Sequence, residues 1–189
     1  MSAQCPPFIH PPSEPYGVVL IISPWNYPTQ LTLTPLAGAI AAGNAAIVKP
    51  SEIAEHTAQW MATFLPKYVD KNRVVFIQGG VEETSVLLKE RFDYIFYTGN
   101  PAVGKLIMKA ASEHLTPVTL ELGGKCPVVV DDTVDLATAC NRIALGKFSN
   151  VGQTCVAPDY VLVSENRLNS FVDQFKSTIL KFYGNNAQE

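Results

Sequence analysis

Val18-Val19-Leu20-Ile21-Ile22 is a run of five apolar residues with no polar alternation, and it constrains the fold of this chain more than any other feature. A strand with one wet face alternates apolar and polar residues; a strand covered on both faces does not. The run therefore predicts a strand over 18–22 in a sheet with helices on both sides. The rest of the chain repeats the theme. A helical segment is expected over 31–42, closed by Gly43-Asn44, then a strand over 45–49 and a helix over 54–68. A strand over 74–78 runs into Gly79-Gly80, followed by a helix near 82–89. Next come a strand over 94–97, a helix over 101–111 with Pro101 in its first turn, and a strand over 118–122. Such alternation predicts an α/β fold, and right-handed crossovers make it a doubly wound, Rossmann-like parallel sheet.

Beyond Gly123-Gly124 the pattern starts again, with a strand over 127–130, a helix over 136–147, a strand over 160–164 and a helix over 168–182. Leu136, Cys140, Ile143 and Ala144 share one face of the first of these helices. The expected organisation is a disordered lead-in over 1–14, where Pro6, Pro7, Pro11 and Pro12 crowd together, a sheet domain over 15–124, and the start of a second α/β domain over 125–189.

At 47% hydrophobic and 16% charged residues, the 189-residue chain can bury a substantial core. Its formal charge of −3 gives no electrostatic reason to bind nucleic acid or an anionic membrane. The apolar stretch 31–48 is interrupted by Pro35, Gly38, Gly43 and Asn44, a poor membrane span. No signal peptide is read at the N-terminus. Cys5, Cys126, Cys140 and Cys155 form no CxxC pair, and His10, His56 and His114 are scattered, so no metal site is expected.

Cys155 lies in Gly152-Gln153-Thr154-Cys155-Val156-Ala157-Pro158, among small and polar neighbours that suggest a reachable segment. A thiolate there can attack an aldehyde or acyl carbon. Cys126 and Cys140 read as small core residues, and Cys5 as a tail thiol. Glu121 ends an apolar strand just before Gly123-Gly124, where open α/β sheets bind ligands; a solvated strand-end charge is the plainer reading. Asn26, in Pro24-Trp25-Asn26-Tyr27-Pro28, offers an amide as an oxyanion donor, or is simply a turn residue. No GxGxxG fingerprint follows the first strand. Thr98-Gly99-Asn100-Pro101-Ala102-Val103-Gly104 opens a helix and suits either a phosphate or ordinary turn and capping roles. For Lys49-Pro50-Ser51-Glu52 the plain alternative is a surface charge pair near a helix start.

Taken in order, the segments around Asn26, Lys49, Glu121 and Cys155 resemble those of the NAD(P)-dependent aldehyde dehydrogenase superfamily, most of all its class 3 branch, which includes fatty aldehyde dehydrogenases. The similarity runs from about Pro15 to Tyr183. It implies Cys155 as nucleophile, Asn26 as oxyanion donor and Glu121 as the base that hydrolyses a thioester on Cys155. It implies dinucleotide contacts at Trp25, Lys49, Glu52, Gly99, Asn100, Val103, Gly104, Leu122 and Gly123, with 15–124 as the NAD(P)-binding domain and 125–189 as part of the catalytic domain. Glu52 suits the ribose hydroxyls of NAD, with NADP also possible. The resemblance further implies an aldehyde substrate, medium- or long-chain and aliphatic, a homodimer for full-length relatives, and a reducing, cytoplasmic setting with free thiols.

Full-length members of that family are more than twice as long. Helices before the first strand, the subunit-pairing hairpin and most of the catalytic domain, with its Glu-x-Phe-Gly-Pro segment, are expected to be missing here. The chain is expected to be a fragment, a truncated isoform or an incomplete gene model. Three functions follow: an aldehyde dehydrogenase, a non-catalytic remnant that binds NAD or pairs with a complete subunit, or a cofactor-free cysteine esterase.

Overall fold

The structure, a computed structural model, describes residues 14–186. The expected lead-in therefore lies outside the described residues, Glu14 excepted. The chain divides into two compact units after Glu121, three residues before the expected division.

The first unit is a five-stranded, all-parallel sheet: β1 (Val18–Ile22), β2 (Ala45–Lys49), β3 (Val74–Phe76), β4 (Tyr94–Thr98) and β5 (Val118–Glu121), in the order β3-β2-β1-β4-β5. Helices α1 (Gln30–Ala41), α2 (Glu55–Phe64), α3 (Val81–Leu87) and α4 (Pro101–Ser112) make the crossovers. Strand order reverses at β1, so right-handed crossovers put the helices before and after the reversal on opposite faces. That explains the unbroken apolar run: Val19, Leu20, Ile21 and Ile22 are all buried. Alternate residues of the sheet, Val19, Ile21, Ala46, Val48 and Val74, pack with Leu36 of α1.

Element ends differ from expectation for local reasons. The helix expected over 54–68 is three pieces, a 3-10 turn over Glu52–Ala54, α2, and a 3-10 turn over Leu65–Lys67. Pro66 lacks an N–H and crowds the preceding turn, so the α-helix stops before it. β3 is shorter than the expected 74–78, although the Ile77 N–H still bonds the Val48 carbonyl at 2.9 Å.

The second unit pairs β6 (Cys126–Val130) in parallel with β7 (Pro158–Val163), joined through α5 (Leu136–Phe148) and followed by α6 (Leu168–Tyr183). Val130, Cys140, Ile143 and Phe171 form its core, so the face expected on α5 is buried as read. Asp135 caps α5, accepting the Thr138 N–H at 2.8 Å. Arg167 ties the turn before α5 by donating to the carbonyls of Asp131 (2.7 Å) and Val134 (3.0 Å). Among the described residues, no helix is long and apolar enough to cross a membrane.

Candidate active site

Four strands of the first unit end in loops that hold the candidate residues. β1 and β4 flank the reversal of strand order, where open α/β sheets leave a crevice at their carboxyl ends. β1 runs into Ser23-Pro24, both buried, then Trp25, 43% exposed, and the half-buried Asn26. β4 runs into Gly99 and Asn100. One strand further out on either side, β2 ends at Lys49 and β5 at Glu121. The ladders reach one residue past the strands: the Ser23 N–H bonds the Lys49 carbonyl (3.1 Å), and the Gly99 N–H bonds that of Glu121 (2.9 Å). Trp25, Asn26, Lys49, Glu52, Gly99, Asn100 and Glu121 thus share one edge of one sheet. The side chain of Glu121 is exposed.

Lys49 is no surface residue. It is 2% exposed, and its ammonium donates to Glu52 Oε2 at 3.0 Å and to the Gly79 carbonyl at 2.8 Å. An ammonium has three donors, so one is unused among the described residues. Glu52 is half exposed. Desolvation alone would raise its pKa, but its own backbone N–H and the Lys49 ammonium outweigh that and hold it below the usual range. It therefore stays anionic at neutral pH, ready to accept from hydroxyls.

The turn before α4 is tighter than its sequence suggests. Asn100 caps the helix, its Oδ1 accepting the Val103 N–H at 2.9 Å, while Gly104 is buried and its N–H bonds the Asn100 carbonyl. With Pro101 lacking an N–H, that leaves the Ala102 N–H and the Asn100 amide hydrogens at the helix start. A Cβ on Gly99 would lie 2.2 Å from the Tyr97 hydroxyl, so any larger residue there would have to displace the Tyr97 ring. Tyr97 itself donates to the Asn100 carbonyl at 3.2 Å.

Three features escaped the sequence reading. Gly79, 30 residues from Lys49, supplies the carbonyl that holds its ammonium. Glu83 reaches back to the Gly80 N–H at 2.7 Å and so fixes that loop; a glutamate three residues after a helix start was its available signal. Ser23 Oγ is buried with no hydrogen-bond partner among the described residues.

Leu122, half-buried, and Gly123, exposed and with open space where a Cβ would be, begin the second unit. Cys155 belongs to that unit too. α5 gives way to a 3-10 turn over Ser149–Gly152, in which Asn150 (φ 50), Val151 (φ 58) and Gly152 (φ 75) are all left-handed. The Ala157 N–H then bonds the Thr154 carbonyl at 3.1 Å, closing a turn with Cys155 and Val156 at its centre. Cys155 is half-buried, and its N–H has no protein acceptor among the described residues. Cys126, expected in the core, is also half-buried, and its thiol donates to the Cys155 carbonyl at 3.3 Å.

Residues 10–189 match the model of the aldehyde dehydrogenase family. The chain belongs to that family. It is 58% identical over 176 residues to aldehyde dehydrogenase family 3 member A2 of Pongo abelii, covering 93% of this chain and 36% of the relative. It is 57% identical over 182 residues to the dimeric NADP-preferring aldehyde dehydrogenase of Rattus norvegicus, covering 96% and 40%. Among solved structures, a substrate-bound state of Staphylococcus aureus AldH superposes with a TM-score of 0.90 at 48% identity, over 98% of this chain and 42% of the other. The chain thus spans about two fifths of the length of these relatives, and its parallel α/β architecture is that of the aldehyde dehydrogenase fold.

Proposed function

We propose that this chain carries the dinucleotide-binding and nucleophile-bearing part of an NAD(P)-dependent aldehyde dehydrogenase. One observation carries the reading: in a chain of this family, the loops bearing Trp25, Asn26, Lys49, Glu52, Gly99, Asn100 and Glu121 all leave the carboxyl ends of four adjacent parallel strands, astride the reversal of strand order.

The residues present suit a dinucleotide. Lys49 keeps one donor, and the anionic Glu52 accepts from ribose hydroxyls. Trp25 and the α4 turn, with Gly99, Asn100, Val103 and Gly104, take the pyrophosphate, and Leu122 and Gly123 complete the cofactor set. The carboxylate of Glu52 repels a 2′-phosphate, so NAD is favoured; the rat relative, named NADP-preferring, makes NADP the comparison to run. When bound, the cofactor supplies the hydride acceptor.

The chain's own groups do the rest. The Cys155 thiolate forms a C–S bond to the aldehyde carbon, and the carbonyl oxygen becomes an oxyanion. The resemblance assigns the donors to that oxygen to the Asn26 amide and the Cys155 N–H, and losing one such donor costs about 3–4 kcal/mol in the transition state. Loss of hydride from the adduct leaves a thioester. Glu121 then takes a proton from water, whose oxygen attacks the acyl carbon; the C–S bond breaks, freeing the thiolate and a carboxylic acid that loses its own proton to solvent. From the resemblance alone we extend the reading to medium- and long-chain aliphatic aldehydes, a homodimer and a cytoplasmic setting.

A second reading, dinucleotide binding without turnover, is supported by the division of the chain: every cofactor candidate except Leu122 and Gly123 lies in the first unit, whereas Cys155 lies in the second. NAD(P)H formation with a medium-chain aldehyde, beside Cys155→Ala, decides between the two. Turnover lost only in the variant supports the dehydrogenase; equal turnover in both sinks the mechanism; dinucleotide binding with no turnover in either leaves the second reading.

A further inference from the structure

Cys126 opens β6 two residues after Gly124, and that turn is pressed against the Cys155 segment. A Cβ on Gly124 would lie 3.2 Å from both Cys126 Sγ and the Cys155 carbonyl oxygen. The same thiol donates to that carbonyl at 3.3 Å, across 29 residues of sequence. Both cysteines are half-buried. Cys140 is different: it is fully buried in the core of the unit, with its thiol directed at the Phe171 carbonyl, 3.9 Å away.

We propose that Cys126 is a resolving thiol for Cys155, making the pair a site of reversible oxidation by peroxides. Cys126 Sγ lies 3.3 Å from a backbone atom of Cys155, and rotation about the two side-chain bonds is the movement required to reach the roughly 2 Å S–S distance of a disulfide. The chemistry balances in two steps. The Cys155 thiolate attacks one peroxide oxygen, the O–O bond breaks, and sulfenic acid forms as the peroxide is reduced to water or alcohol. The Cys126 sulfur then attacks the sulfenic sulfur; an S–S bond forms, the S–O bond breaks, and water leaves with the Cys126 proton. The disulfide blocks the nucleophile but spares it from sulfinic acid, which thiols do not reverse. The choice of Cys155 as the sulfur first oxidised rests on its proposed role as nucleophile.

The test is peptide mapping of the intact chain after stoichiometric hydrogen peroxide, in a Cys5→Ser background, without reductant. Trypsin places Cys126 and Cys140 together in 126–142 and Cys155 in 148–167, so fragmentation of the linked pair must assign the bond. The expected result is a Cys126–Cys155 bond that dithiothreitol reverses. In Cys126→Ser that bond is gone, and sulfinic acid at Cys155 rises several-fold. A bond to Cys140, a bond only between chains, or equal sulfinic acid with and without Cys126 overturns the proposal. Dimedone labelling of Cys126→Ser separates the two failures. A label on Cys155 without a bond in the parent rejects the resolving thiol alone; no label on Cys155 rejects the reactive nucleophile as well.

Discussion

At the residue scale, Glu121 offers the clearest separation of chemistry from structure. Its carbonyl accepts the Gly99 N–H and its backbone pairs with Thr98, while its side chain is exposed. Glu121→Gln therefore leaves the sheet intact and removes only the base. The expected outcome is a burst of up to one NAD(P)H per chain, followed by steady turnover slower by about 10²–10⁴-fold. Intact-mass measurement would show the acyl group retained on Cys155; unchanged steady turnover would return Glu121 to the status of a solvated strand-end charge. The roles proposed for Glu121, Asn26 and Cys155 were read from short recognisable segments. The surroundings of Lys49 and Cys126 were not. A lysine at a strand end looks solvent-exposed until the fold brings Gly79 to it from 30 residues away, and Cys126 looked like core until the turn at Gly124 set it against Cys155. Both depend on long-range contacts, which local sequence does not carry.

At the scale of elements, alternation of period and composition was enough to read strands β1 to β7 and helices α1 to α6, because apolar runs, helical composition and turn residues signal themselves locally. What stayed hidden was backbone conformation between them. Nothing in Asn150-Val151-Gly152 announces three successive left-handed residues, and a valine argues against it. Val151 is 86% exposed, so its side chain returns little burial for that conformation. The left-handed form costs a non-glycine residue about 1–2 kcal/mol, and glycine gives back roughly 0.5–1 kcal/mol through a freer unfolded chain. Val151→Gly is expected to stabilise the second unit by about 0.5–1 kcal/mol in urea unfolding. Gly152→Ala is expected to do the reverse, since its Cβ would lie 2.8 Å from the Lys147 carbonyl oxygen at φ 75. A loss of stability in Val151→Gly would mean that the exposed valine makes contacts the strain argument omits.

Across the whole molecule, two units with separate cores need not unfold as one, so a single melting temperature is not assured. That separation makes dinucleotide binding measurable without turnover. A ligand that binds only the folded form stabilises it by about 2.7 kcal/mol at a hundredfold excess over its dissociation constant. If the loops at the carboxyl ends of β1, β2 and β4 hold NAD(P), the gain belongs to the unfolding transition of the first unit. Glu52→Gln is expected to lose most of that gain, because Lys49 keeps Gly79 but the ribose loses its anionic acceptor. Cys155→Ala is expected to keep it, since Cys155 belongs to the second unit. Calorimetry of the parent and both variants, with and without NAD and NADP, reads all of this in one series. A ligand shift that survives Glu52→Gln unchanged would remove the ribose role from that residue. A shift abolished by Cys155→Ala would tie the dinucleotide to the second unit and overturn the division of labour proposed for the two.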